Sequence, residues 1–190
     1  MKSAYYLHLQ HRAVVWIGEN SVVGRDKNFW KFLWPLSIPP KVKSFLWRAC
    51  VGILPANALM CRCHLRGDGN CPSCTHDCEF VEHVLWSCLV ANDIWAESKL
   101  KVLKWGHFDH SFCDLLNTTR SRLGVEDLEL FCCVVYFIWL QRNHMVHDES
   151  CSNPIEVMQP AAKLAIDYPE STAFPPQMRS GTVAAQQNMV

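Results

Sequence analysis

Excess charge of either sign is missing from this 190-residue sequence: Lys and Arg total 18, Asp and Glu total 18, and only 19% of residues are charged. A globally basic nucleic-acid binder or a polybasic membrane protein is thereby disfavoured, although a local basic patch is not. Long apolar runs are missing too. The longest, Leu130–Leu140, is far short of the ~20 residues a membrane-spanning helix needs. The opening MKSAYYLHLQHR is interrupted too early, by His8, Gln10 and His11, to serve as a signal peptide. There is no internal repeat, no G-x-S-x-G, no H-E-x-x-H and no phosphate-cradling glycine loop. These absences predict an intracellular, reduced chain with no membrane partner and no catalytic activity.

What is present is apolar bulk and cysteine. Apolar residues make up 49% of the chain, with eight Trp and nine Phe, enough to fill a core and too many for wholesale disorder. The eleven cysteines are an odd number, which argues against a fully paired disulfide framework. In a reducing compartment, clustered cysteines more often bind metal, and the others serve as small buried hydrophobes.

The patterning predicts a mostly α fold: a small helical domain with an irregular zinc knuckle stapled between helices. A short helix is expected over 1–12 and a polar loop over 18–28. Phe29–Trp34 carries aromatic anchors and stops at Pro35. From Pro40 to about Val51, Val42, Phe45, Leu46 and Ala49 share one helical face, while Lys41, Ser44 and Arg48 share another. Proline is tolerated at that start because a first-turn N–H has no helical partner. A short helix is expected within 54–66, a turn at Gly67–Asn70, and an amphipathic stretch over Leu89–Leu103 with Ile94, Trp95 and Leu100 in the core. Residues 105–111 read as a loop and 112–119 as a short helix.

The longest predicted helix is Glu126–His147. It is apolar all round in its middle, as a central buried helix should be, and Phe131, Val135, Ile138 and Trp139 are expected in the core. Glu126, Asp127 and Glu129 at its start and Arg142, His144 and His147 near its end suit the helix dipole. A last helix over 154–168 precedes a Ser/Thr/Pro/Gln-rich tail, 170–190, read as disordered. The chain thus divides into 1–104, a helical extension 105–169, and the tail.

The strongest chemical signal is CPSCTHDCEFVEHVLWSC. Cys71-x2-Cys74, then His83 and Cys88, supply four ligands of the type tetrahedral zinc takes. Pro72 and Ser73 suit the tight turn that lets two cysteines reach one ion. His83 would open a short helix, Val81–Ser87, whose positive end favours thiolate charge, with Phe80, Val84, Leu85 and Trp86 anchoring the knuckle. Four protein ligands leave no open position, so one structural Zn2+ is expected. Cys78 is an alternative fourth ligand, and Cys61, Cys63, His64 and His76 also lie close in sequence.

These residues carry a resemblance. Ser3-Ala4-Tyr5, Trp34, Pro40-Lys41-Val42, Phe45-x-Trp47-Arg48 and Leu54-Pro55 are followed in order by Cys71-x2-Cys74, Glu82-His83, Cys88 and Trp95. The set, over about residues 3–97, is similar to the zinc-binding domain appended to reverse transcriptases of plant non-LTR retrotransposons. Ile138–Asn143, IWLQRN, resembles the segment that often follows in such polyproteins and leads there to a ribonuclease H-like domain. No Tyr-x-Asp-Asp polymerase motif occurs in the sequence, and no ribonuclease H start is seen. The resemblance therefore implies a detached piece of such a reading frame, with zinc as its cofactor. By association with the parent polyprotein it also implies RNA, single-stranded DNA or a retroelement polymerase as partner.

One basic segment fits a nucleic-acid partner. Between Lys41 and Arg66 lie Lys41, Lys43, Arg48, Arg62 and Arg66 with no Asp or Glu, and Trp47 and His64 interleave. Cations beside aromatic platforms suit single-stranded nucleic acid. The next stretch, Asp68–Glu97, reverses sign with six acids and no Lys or Arg, so phosphates should avoid the knuckle. The competing reading is a solvated helix face on a purely structural or protein-interaction module. Phe29, Trp30, Phe32, Trp34, Phe45 and Trp47 are expected mainly in the core.

Overall fold

The computed structural model describes residues 27–74, 78–100, 102, 111–148 and 152–173. Its elements are α1 (Lys27–Leu33), α2 (Pro40–Cys50), α3 (Asn57–Arg62), a π-helical turn (His83–Ser87), α4 (Leu89–Glu97), α5 (Phe112–Arg122), α6 (Val125–Asp148) and α7 (Pro154–Ala173). Among the described residues there is no strand, only an isolated antiparallel bridge between Asn70 and Cys78. The expected mostly α fold is what forms.

Local chemistry sets the helix ends. Pro40 opens α2 directly after Pro39, where its missing N–H is no loss. The helix closes on Gly52 at φ +70°. Ile53 N–H donates to Arg48 O and Gly52 N–H to Ala49 O, the paired bonds of a Schellman close. The same pair ends α3, with Leu65 N–H on Met60 O and His64 N–H on Cys61 O. There His64 itself takes the left-handed position, at φ 56°, a conformation histidine tolerates better than most non-glycine residues. Ser111 caps α5 by accepting from Asp114 N–H. Asn153 and Glu156 cap α7 reciprocally, Asn153 Oδ1 accepting from Ile155 N–H and Glu156 Oε2 from Asn153 N–H.

Helix α6 is the axis. Phe131, Cys132, Cys133, Val134 and Val135 are all fully buried, so its centre is enclosed on every side. It packs against α2, α5, α7 and the π turn, while α4 packs against α7 and the π turn. One continuous core cluster runs from Leu33 to Ala161, so apolar contacts cross residue 104. Within it Trp95 stacks on Phe131 at 5.0 Å between ring centres, and Trp86 lies 5.8 Å from Trp95 and 6.4 Å from Phe131. Trp95 Nε1 donates to Leu85 O, satisfying the indole N–H that burial would otherwise strand.

Several expectations need correction. Lys27 and Asn28 are already helical rather than part of the 18–28 loop. The 54–66 helix is only Asn57–Arg62, and the stretch from Leu89 stops at Glu97. Helix α5 runs three residues past 119, to Arg122. Helix α7 carries Pro160 and Pro169 inside it and continues to Ala173, so residues 170–173 are helical rather than the start of a tail. Trp34 and Trp47 are exposed, not core, and so is Phe80. The expected helix over 1–12, His76, most of 105–111 and residues 174–190 lie outside the described residues.

Phe131→Ala would remove the ring on which Trp86 and Trp95 pack and leave a cavity, at a cost of ~3–5 kcal/mol. Chemical denaturation measures it; a loss under ~1 kcal/mol would mean that this aromatic cluster is not the core.

Candidate metal centre

The four residues singled out by spacing come together. The ligand atoms of Cys71, Cys74, His83 and Cys88 all lie within 4.8 Å of one another. Cys71 Sγ is 3.8 Å from Cys88 Sγ, and Cys74 Sγ is 3.4 Å from His83 Nε2. A tetrahedral zinc with bonds of about 2.3 Å to sulfur and 2.0–2.1 Å to nitrogen requires edges of about 3.8 Å and 3.6 Å. The donor set is one that zinc takes, and these two separations match the edges such a site requires.

Each ligand is placed by its own piece of backbone. Residues 72–74 turn tightly, and the backbone N–H groups of Ser73 and Cys74 point at Cys71 Sγ. His83 and Cys88 sit five residues apart. In an α-helix that separation sweeps about 500° and leaves the two side chains roughly 140° apart around the axis. The chain forms a π turn instead, in which Cys88 N–H donates to His83 O at 2.8 Å. The wider turn brings ligands at i and i+5 to one side; single π turns recur at functional sites for this kind of reason. Cys88 is also the N-cap of α4, where the helix dipole favours negative charge.

Proton affinities inside the cluster follow from the crowding. The Cys71 thiol is pulled down to about 3, chiefly because Cys88 donates a hydrogen bond to its thiolate, with His83 assisting against the opposing effect of burial. Cys88, beside that thiolate, is pushed up. His83 is pushed up to about 9 by its hydrogen bond to Cys71. Without metal, then, the cluster holds a thiolate at Cys71, a thiol at Cys88 and an imidazolium at His83. The thiols of Cys50, Cys132 and Cys133 contrast with this site. Burial pushes all three up, Cys133 to about 12, and they behave as inert hydrophobes.

The other candidate ligands lie elsewhere. Cys78 is exposed in the Asn70–Cys78 bridge, and a Cβ at Gly69 would meet its Sγ at 3.3 Å. Cys61 lies in α3 and Cys63 caps it, while His64 closes that helix. Among the described residues, only the Cys71, Cys74, His83 and Cys88 group has metal-holding proximity.

Behind the cluster is a network that the spacing did not announce. Glu79 is fully buried, yet both its carboxylate oxygens are partnered. Arg142 Nε donates to Glu79 Oε1 at 2.8 Å and Nη2 to Oε2 at 2.5 Å. Asn57 N–H donates to Oε2 at 2.5 Å, and Asn57 Oδ1 accepts from Arg142 Nη2 at 2.9 Å and from Arg66 Nη1. Asn57 Nδ2 then holds Asn70 O, next to Cys71, at 2.7 Å, and Glu79 N–H donates to Gly69 O at 2.7 Å. The guanidinium also lies over the Trp139 ring, 5.0 Å from its centre. Ser73, between the first two cysteines, donates its hydroxyl to Met145 Sδ of α6. The signal for Arg142 was its register: Leu128, Phe131, Val135 and Ile138 form a buried stripe that Arg142 continues at the same spacing.

Residues 1–95 match the family described as zinc-binding in reverse transcriptase. This chain belongs to that family. A putative ribonuclease H protein of Arabidopsis thaliana is 27% identical over 119 residues, 60% of this chain and 19% of that protein, so the chain spans about a fifth of the relative's length. No solved structure matches. The family match and the plant relative agree with the resemblance to the zinc-binding domain of plant retrotransposon reverse transcriptases. No described helix is long and apolar enough to cross a membrane.

The buried network makes its own prediction. Glu79→Gln or Arg142→Met alone strands half of a buried charge pair and should cost ~3–5 kcal/mol. The double variant Glu79→Gln/Arg142→Met should lose clearly less than the two singles summed, read by a denaturation cycle. Additive losses would mean that the two side chains act independently.

Proposed function

We propose that Cys71, Cys74, His83 and Cys88 hold one structural zinc ion, and that the domain is a non-catalytic module bringing RNA or single-stranded DNA to a retroelement polymerase. The observation that carries the metal reading is the convergence of three cysteine sulfurs and one imidazole nitrogen within 4.8 Å of one another. With all four positions taken by protein, no site is left for a reacting water or substrate, which supports a non-catalytic role. When bound, the ion would supply a cross-link between the Cys71–Cys74 turn, the π turn and the start of α4.

The nucleic-acid reading is supported by the cations that Lys41–Arg66 brings to the surface. Lys41, Arg48, Arg62 and Arg66 are exposed and Lys43 is half-buried. They do not act alike. Arg66 reaches into the Asn57 network, Lys41 lies 5.5 Å from the Tyr136 ring centre, and Lys43 Nζ holds Trp34 O at 2.6 Å. Arg48 on the outer face of α2 is the cation best placed for a phosphate. A purely structural or protein-interaction module remains the competing reading; salt-independent behaviour toward RNA would select it.

Cys71→Ser and His83→Ala should each lower zinc stoichiometry and helicity together, measured by metal analysis and circular dichroism. Full zinc content in both variants would falsify the ligand set. Proton release tests it separately. At pH 7 zinc must displace protons from His83 and Cys88, while Cys71 is already ionised. These two groups alone should release two protons on binding, so affinity should fall at least roughly 100-fold per pH unit toward acid. Calorimetry in buffers of different ionisation enthalpy counts them; fewer than one would contradict the protonation pattern.

A further inference from the structure

We infer that Trp34 and Trp47 form a stacking platform for the unpaired bases of a single-stranded nucleic acid, with Lys43 and Arg48 flanking it as phosphate contacts. The inference rests on the nucleic-acid reading above and adds what would hold the bases. Trp34 is 55% exposed and Trp47 39% exposed, unusual for the largest apolar side chain. Of the other described tryptophans, Trp86, Trp95 and Trp139 are buried and Trp30 is half-buried against the core.

Trp34 and Trp47 are linked through Lys43. Lys43 Nζ bonds the carbonyl of Trp34, which fixes the residue before Pro35 against α2. Lys43 and Trp47 are one helical turn apart, so they are surface neighbours. At 100° per residue Trp47 falls about 40° from Lys43 and about 100° from Arg48 around α2. The opposite arc carries the buried residues Val42, Phe45, Leu46, Ala49 and Cys50. The indole therefore stands between two cations. Lys43 uses one of its three N–H donors on the Trp34 carbonyl and keeps two.

Charge selects the occupant. From Lys27 through Gly67 the chain has seven Lys or Arg and no Asp or Glu, so α1, α2 and α3 contribute no carboxylate beside the platform. The carboxylate that α6 brings to this segment, Glu129, is buried and taken up by Ser37 N–H, so the exposed charges of these three helices are cationic, which suits a phosphodiester better than an apolar protein partner. Every base presents a π face, so recognition by stacking between phosphate contacts is tolerant of sequence. Duplexes hide those faces, so an unpaired strand is the fitting ligand.

The test uses the full zinc-loaded chain with a fluorescein-labelled uridine 12-mer and a matched RNA duplex, read by anisotropy over a salt series. Trp47→Ala should weaken 12-mer binding about 5- to 150-fold, and Trp34→Ala should act similarly, the range for losing one base–aromatic stack. The slope of log affinity against log salt should stay unchanged, because no phosphate contact is removed. Trp47→Phe should restore most of the loss, and zinc content should match the parent in all variants. Lys43→Gln/Arg48→Gln should instead flatten the salt slope. Tryptophan variants that bind like the parent, or a duplex bound as tightly as the 12-mer, would overturn the platform while leaving nucleic-acid contact standing. A parent with no salt-dependent affinity for the 12-mer would overturn both. So would indole fluorescence that responds only to rising protein concentration, since that marks a second copy as the occupant.

Discussion

The buried pair of Arg142 and Glu79 is the interaction on which the arrangement of the knuckle depends. A carboxylate that is fully shielded from water is tolerated only when its lone pairs are taken up, and Glu79 has an arginine fork on one side and the Asn57 N–H on the other. Such a pair adds little net stability over an apolar substitute. What it supplies is register. The carboxylate at 79 is satisfied only when residue 142 of α6 faces it, so sliding α6 by one residue against the knuckle would strand both charges. Asn57 extends the constraint to α3, because its amide and its backbone join the same pair to the carbonyl of Asn70.

The knuckle is thus held by two clamps of different chemistry. Asn70 and Glu79 are tied inward by hydrogen bonds and charge, while Cys71 and His83, one and four residues further along, turn toward the thiolate cluster. The first clamp joins the loop to a distant helix; the second joins the loop to itself and to α4. Protons compete with metal for the second through His83 and Cys88. An arginine stays charged throughout the working range, so the first clamp is not subject to that competition on its cationic side. Ser73 on Met145 adds a contact between the metal loop and α6, so the zinc-binding segment and the long helix share one packed body.

Much of this was legible in sequence because local rules and tertiary demands agree. The buried face of α2, the core stripe of α6 with Phe131, Val135, Ile138 and Trp139, and the convergence of Cys71, Cys74, His83 and Cys88 follow from periodicity and spacing. The π turn was not legible as such, since propensity predicts an α-helix there; the five-residue gap between His83 and Cys88 was its trace. The continuation of α7 through Pro169 was missed because proline normally marks an end. Here, prolines at 160 and 169 lie nine residues apart within one helix. The Glu79 partnership was missed because it joins residues 63 positions apart, which no local pattern encodes. The exposure of Trp34 and Trp47 was missed because composition says only that tryptophans usually go inside.

Zero net charge conceals a separation that the fold preserves. The chain from Lys27 to Gly67 is wholly basic in its charged residues, and Asp68–Glu97 is wholly acidic. The two meet where Arg66 reaches Asn57, which itself bonds Glu79. At physiological salt, fields between exposed charges fade over about 8 Å, so a neutral total neither steers a charged partner from afar nor cancels a patch at contact. The sign of the surface nearest the partner then decides what docks. On the outer face of α2 that surface carries Lys41, Arg48 and Trp47. If a polyanion is the partner, the cations it would meet belong to the stretch from Lys27 to Gly67 and not to Asp68–Glu97.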